Sequence, residues 1–195
     1  MVEVLVGTGL ASAAGLNAWI PLVLVGLLAR FTDLVPLPAG WEWLTDPWAL
    51  GLFAALLLVE GVADKVPGLD SVNDVLQTAV RPAAGGVVVG AGTGSSVLVQ
   101  DPSTWVASGD WAPLVLGAAV ALGVHLLKAA GRVALNAVTA GLGAPFASVA
   151  EDAASVSLVL AAVLAPVLVL ALLAFLVAAV VVLLRRRAHR LPAPS

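Results

Sequence analysis

The stretch Trp48-Ala-Leu-Gly-Leu-Phe-Ala-Ala-Leu-Leu-Leu-Val-Glu60-Gly-Val-Ala-Asp64-Lys65-Val-Pro-Gly-Leu-Asp70 opens as an apolar helix that carries two carboxylates, Glu60 and Asp64, and the Lys65 ammonium, and runs on past Pro67-Gly68 to Asp70. With Trp48 at an interface and a rise of about 1.5 Å per residue, Glu60 lies roughly 18 Å into a hydrocarbon layer about 30 Å thick. A carboxylate at that depth faces a protein interior or a water-filled cavity, pairs with a cation, or takes up a proton. Function is therefore sought around Glu60.

The composition agrees with a membrane reading. Of 195 residues, 61% are hydrophobic and 11% charged, with a mean hydropathy of +1.08, so the expectation is an all-α polytopic integral membrane bundle. It forms a single transmembrane domain over residues 1–184, with membrane lipid as its surroundings and a basic cytoplasmic tail at 185–195. The net charge is only −3 and the basic residues are scattered or terminal, so nucleic acid is excluded as a partner. The absence of Cys removes disulfide and thiol chemistry. Two histidines, His125 and His189, make no metal set, and the serines form no nucleophile and base constellation. No metal, cofactor or enzymatic activity is expected. Ala11-Ser12-Ala13 resembles a cleavage site, but Glu3 stands where basic residues would, and the apolar run continues to Ala29. An uncleaved first helix is the reading.

About six membrane segments follow in order. The first is Val4 to Ala29, where Asn17 and Pro21 favour a local opening of the helix, because Pro21 leaves the Asn17 carbonyl without its helical donor. Arg30 to Pro47, with Trp41, Trp43 and Trp48, reads as an aromatic-belted interfacial loop. Trp48 to Lys65 is the second span, broken by Pro67-Gly68. Leu69, Val72, Leu76 and Ala79 or Val80 then oppose Asp70, Asn73, Asp74 and Gln77, as in a short amphipathic helix on the interface or folded back. Pro82 to Val99 is the third span. Its Gly86, Gly90 and Gly94 offer a small-residue face to another helix or to a second copy in a homo-oligomer. The glycine run Gly90 to Gly94 is no phosphate loop, since no Lys follows and no strand precedes it. Trp111 to Lys128 is the fourth span, Ala129 to Ala144 a linker, and Pro145 to Leu184 either two crossings turning near Ala165-Pro166 or a re-entrant segment with one crossing.

With the N-terminus cytoplasmic and six crossings, Lys65, Arg81, Lys128, Arg132 and the terminal arginines Arg185, Arg186, Arg187 and Arg190 all lie inside and Arg30 alone outside, which satisfies the positive-inside rule. Both termini are then cytoplasmic in a bacterial cytoplasmic membrane. An offset of 63 residues aligns Trp48 with Trp111, Lys65 with Lys128, Asn73 with Asn136 and Pro82 with Pro145. This points to a duplication with units at about 46–108 and 109–171, and such repeats often build a pathway at their interface.

At Gly15-Leu-Asn-Ala-Trp-Ile-Pro21, Glu60 to Asp70, Arg81-Pro-Ala-Ala-Gly85 and Ala150-Glu-Asp-Ala153, the chain resembles the bacterial domain of unknown function 4126 family, from about Gly7 to Leu184. The resemblance implies a small multi-pass membrane protein.

The candidate pathway residues are Asn17, Glu60, Asp64, Lys65, Asn73, Arg81, Lys128, Asn136, Glu151 and Asp152, with Asp70, Asp74, His125 and Arg132 in the same inner half of the bundle. Glu60 and Asp64 share a helix face. The cluster is expected to relay a proton or cation coupled to a solute, with Glu60 and Glu151 titrating, or to bind an anionic solute or headgroup through its bases. The other reading is a structural or accessory subunit, in which Glu60 is buried against Lys128 or Arg132.

Overall fold

The computed structural model describes residues 2–64, 69–96, 98, 101 and 104–188. These residues are all-helical, with no strand among them. The elements are α1 (Val2–Leu16), α2 (Trp19–Phe31), a 3-10 turn at Glu42–Thr45, α3 (Pro47–Ala63), α4 (Leu69–Gly92), α5 (Trp105–Ser108), α6 (Ala112–Thr139), α7 (Ala144–Leu164) and α8 (Leu168–Ala188). Two of them, α6 and α7, are long and apolar enough to cross a membrane. The central helix is α1, packed against α4, α6 and α7.

The expected first span, Val4 to Ala29, is two helices running in opposite directions. Pro21 donates no hydrogen bond to the Asn17 carbonyl. Asn17 Oδ1 instead accepts from the backbone N–H groups of Trp19 (3.0 Å) and Ile20 (3.1 Å), capping the start of α2. A Cβ at Gly7, early in α1, would touch Val89 and Thr93, whereas one at Gly15 would strike Ala121 and Val124. Along α2 the order reverses: Gly26 lies against Leu44 and Leu50, and Arg30 Nη1 donates to the Thr45 carbonyl at 2.7 Å. The Trp41 indole, beside Leu44, donates to the Ser95 carbonyl at 2.7 Å, next to Thr93. The start of α1 and the finish of α2 therefore share one end of the bundle, called here the tryptophan end, and Asn17 is the tip of a helical hairpin.

From that end α3 descends, α4 returns, α6 descends, α7 returns and α8 descends. Antiparallel contacts fix this order. Gly90 faces Leu114 while Gly85 faces Gly117 and Ala121; Asn17 meets Asp152, and Ala13 meets Ser155; Gly9 faces Ala162 and Val169. Later residues of α8, Leu176 and Ala179, share a cleft with Leu135 and Ala147 near the other end. The two described ends of the chain, Val2 and Ala188, consequently lie at opposite ends of the bundle. The expected single helix over Val4 to Ala29 is thereby replaced by two, because residues 2–31 turn back at Asn17.

Several boundaries also move. Pro82 lies inside α4, so the expected short amphipathic helix and third span are one helix. A proline removes one helical bond, and here Arg81 and Gly85 clamp both flanks to α1 and α6. The amphipathic segment is folded back with its polar side inward: Gln77 is buried while Val75 and Leu76 are exposed. The helix ends at Gly92, short of Val99, with Gly94 at φ +81°. The linker expected from Ala129 to Ala144 is helical to Thr139, since a lone Gly131 does not stop a packed helix. It ends where Ala140 (φ 52°) and Gly141 (φ 84°) turn left-handed. The break expected at Ala165-Pro166 is present between α7 and α8.

The glycine face meets this chain's own residues. Gly86 sits on the Leu114 carbonyl and Gly90 on Trp41 and Leu114, while Gly94 lies outside the helix with nothing within 4 Å of a Cβ. Trp41 is fully buried rather than interfacial, because the cradle at Gly90 admits its ring. At the 63-residue offset α3 falls on the first half of α6, while Asn73 belongs to α4 and Asn136 to α6, and Pro82 is inside a helix whereas Pro145 begins one.

Candidate functional site

The hairpin tip, the ends of α3 and α7 and the middle of α4 and α6 bring one buried ionic network together. Its upper tier is Glu60, Arg81 and His125. Arg81, 0% exposed, donates Nη2 to Glu60 Oε1 at 2.7 Å and Nη1 to the Gly15 carbonyl at 2.9 Å; Glu60 is 2% exposed. Arg81 Nη1 also lies 3.3 Å from His125 Nδ1. A guanidinium only donates, so Nδ1 accepts and the imidazole proton sits on Nε2, 3.1 Å from Thr78 Oγ1. His125 is thus a neutral, satisfied core histidine.

The lower tier is Asp64, Lys128, Arg132 and Glu151. Positions 125, 128 and 132 share one face of α6. Arg132 forks onto Glu151 through Nε (3.1 Å) and Nη2, and Nη2 also reaches Asp64 Oδ2 at 2.8 Å. Lys128 Nζ lies 3.1 Å from Glu151 Oε2 and 3.8 Å from Asp64 Oδ2, and donates to the Leu16 carbonyl at 2.9 Å. Asn73 Nδ2 holds the other Asp64 oxygen at 2.8 Å. Two cations therefore grip the last carbonyls of α1, where the helix dipole is negative and backbone acceptors lack helical donors.

At the tip, Asn17 Nδ2 donates to Asp152 Oδ1 at 2.9 Å while its Oδ1 caps α2. Among the described residues no cation pairs with Asp152. Among the described residues, six buried polar atoms keep unused hydrogen-bonding capacity: Glu60 Oε2, Gln77 Oε1, Arg81 Nε, Arg132 Nη1, Asn136 Oδ1 and Ser148 Oγ.

Of the residues the sequence singled out, Glu60, Asp64, Asn73, Arg81, Lys128 and Glu151 are joined directly, and Asn17 and Asp152 form the adjoining tip. Asn136 lies one turn beyond Arg132 and makes no side-chain bond to the cluster through its buried Oδ1. Lys65 lies outside the described residues, as do the side chains of Asp70 and Asp74. The partner of Glu60 is Arg81, not Lys128 or Arg132, because Glu60, in the last turn of α3, faces α4. Arg132, expected only as a further base in the same inner half of the bundle, is the centre of the lower tier, and its spacing of four from Lys128 is the signal of one helical face. The carbonyls of Gly15 and Leu16 carry no side-chain signal; only the Asn17 and Pro21 break announces them. No group of three or more His, Asp or Glu among the described residues is arranged to hold a metal.

A family model described as Domain of unknown function (DUF4126) matches residues 4–186. The chain belongs to this family. The match takes in the hairpin, both tiers of the network and nearly all of α8. No curated protein and no solved structure matches the chain.

Proposed function

We propose that the chain is a multi-pass membrane protein that carries a small solute or ion through the network at the hairpin tip. The observation that carries this reading is a broken helix pair whose tip exposes backbone carbonyls and an Asn to a buried ionic cluster. Discontinuous helices meeting ion sites deep in a bilayer are the usual construction of secondary transporters. The exterior supports the membrane setting: Leu58 is 73% and Phe146 79% exposed while Glu60, Arg81 and Lys128 are buried, the reverse of a water-soluble distribution.

In this reading α1 and α2 form a re-entrant hairpin, and α3, α4, α6, α7 and α8 cross. From Val2 to Leu16 is about 21 Å at 1.5 Å per residue, which sets the tip near two-thirds depth in a layer of about 30 Å. Arg185 to Arg187 lie in the last turn of the descending α8, and Arg30 lies at the tryptophan end. The positive-inside rule then makes the C-terminus cytoplasmic and the N-terminus external.

Charge balance picks out the coupling group. Glu60 with Arg81, and Asp64 and Glu151 with Lys128 and Arg132, are balanced. Among the described residues of this cluster Asp152 is the carboxylate without a cation partner, and an arriving monovalent cation meets its negative charge there. In proteoliposomes under an imposed potential, wild-type protein should pass protons or sodium above the empty-vesicle rate, Asp152→Asn should lose that flux, and Arg30→Gln should keep it. Equal flux through wild type and Asp152→Asn contradicts the reading. One observation favours the accessory-subunit alternative, namely that each buried cation already has a carboxylate partner; wild-type vesicles that stay at the empty-vesicle rate for both ions favour that subunit.

A further inference from the structure

Among the helices that meet at the network, α3 is held mainly at its two ends. Its outer side is bare, with Trp48, Leu52, Leu58, Val59 and Val62 exposed, and its buried residues are Ala49, Phe53 and Glu60. Near the tryptophan end the hold is ring packing: Phe53 stacks on Trp19, with centroids 6.1 Å apart, and meets Trp43 edge-on at 6.2 Å. None of residues 54–59 is buried, and the far end is held by ions, Glu60 on Arg81 and the C-cap Asp64 on Arg132 and Lys128. By contrast, α4 and α6 touch backbone to backbone at Gly85 and Gly117. We propose that α3 is a gate pivoting about Phe53, and that the solute it admits is a small linear dicarboxylate, which takes the places of Glu60 and Asp64 on Arg81, Arg132 and Lys128.

Charge and geometry fix that chemistry independently. A departing α3 takes two carboxylates with it, so Arg81, Lys128 and Arg132 are left facing Glu151 alone. Unpaired cations are costly in a buried site. A dianion restores the balance, whereas a monoanion leaves one cation unpaired and an amine adds to the excess. At Arg81 the closed gate is also an imperfect match. Arg132 grips Glu151 along its Nε and Nη2 edge, but Arg81 gives Glu60 only Nη2, leaving its own Nε and Glu60 Oε2 without partners. A carboxylate freed from a helix fills both prongs of that fork, the stronger charge-assisted arrangement. These atoms are sealed while α3 is in place, so the exchange requires the helix to move. Glu60 and Asp64 stand four residues apart on one face, about 6 Å along the axis, and that separation sets the spacing of the solute's two carboxylates.

The inference rests on the transport reading and names its solute class, but gate opening is measured apart from flux. Gln77 is buried on the face of α4 between Asn73 and Arg81, the two residues that hold the far end of α3. Full-length Gln77→Cys in phosphatidylcholine nanodiscs is reacted with a small methanethiosulfonate, with and without adipate. Adipate should speed the reaction by about tenfold or more, a shift in the population of the open state, whereas hexanoate and 1,6-diaminohexane should not. Ser155→Cys, equally buried but set in α7 against the Ala13 carbonyl, should react at an unchanged rate. Spin labels on Leu58→Cys and Phe146→Cys, both exposed, leave the network intact and should report a second distance when adipate is added. Asp64→Asn, which weakens the hold on α3, should raise the reaction of Gln77→Cys without adipate about tenfold, the loss of a hydrogen bond between charged groups. Rates and distances that ignore adipate overturn the gate, as does an equal acceleration at Ser155→Cys; equal effects of hexanoate or diaminohexane overturn the dicarboxylate. Opening by adipate without ion flux defeats the transport reading alone, and ion flux without opening defeats this inference alone.

Discussion

Asn17 holds the hairpin tip from both sides, capping α2 through Oδ1 and holding Asp152 through Nδ2. Replacing it by Ala removes a cap worth about 0.5–2 kcal/mol and the partner of the half-buried Asp152 carboxylate, so the melting temperature in detergent should fall clearly. Asn17→Asp keeps the cap but sets a carboxylate against Asp152, and should be rescued by Asp152→Asn; if the pair is no better than Asn17→Asp alone, the contact is not made. A similar logic governs Glu60 and Arg81. Removing one partner of a buried pair costs about 3–5 kcal/mol, while removing both in favour of apolar groups costs far less. Glu60→Leu should therefore be much less stable than Glu60→Leu with Arg81→Leu, as read by thermal or denaturant unfolding, and equal losses would exclude the pair. The sequence made Glu60 conspicuous through its depth below Trp48. Its partner was not legible, because Arg81 stands beside a proline that reads as a helix boundary and so as the start of a span at the interface.

At the scale of elements, the close approach of α4 to α6 rests on glycine. A Cβ at Gly85 would lie 2.5 Å from the Ala121 Cβ and 2.7 Å from the Gly117 carbonyl, whereas at Gly51 in α3 it would meet nothing within 4 Å. Gly85→Ala should destabilise by about 1–3 kcal/mol through overpacking. Gly51→Ala should be neutral or stabilising by up to about 1 kcal/mol, since alanine is the better helix former. Comparable unfolding midpoints for the two variants would show that α4 and α6 do not pack at Gly85. The apolar runs were legible as helices, and so were the breaks at Asn17 and Ala165-Pro166, where a proline coincides with a residue or turn able to replace its missing bond. Pro82 has the same local signal and no break, because what holds it is α1 and α6 on either flank. The stretch after Lys128 read as a linker from its small residues, yet its polar side chains at 132 and 136 continue the helical face of 125 and 128.

For the whole molecule, the decisive fact is the direction of α2. An apolar run of 26 residues from Val4 to Ala29 carries no record of whether it crosses or returns, so the sequence led to six crossings and termini on one side. In the proposed membrane reading, a hairpin at residues 2–31 leaves five crossings, keeps the internal basic residues on the side of the arginine tail, and moves only the N-terminus. The chain has no native cysteine, which makes the central claim directly measurable. Single cysteines at Val2 and Arg185, both exposed, are labelled in intact cells with a membrane-impermeant thiol reagent and again after permeabilisation. The hairpin requires Val2→Cys to react from outside and Arg185→Cys only once the cytoplasm is opened; reaction of both from the same side would contradict it.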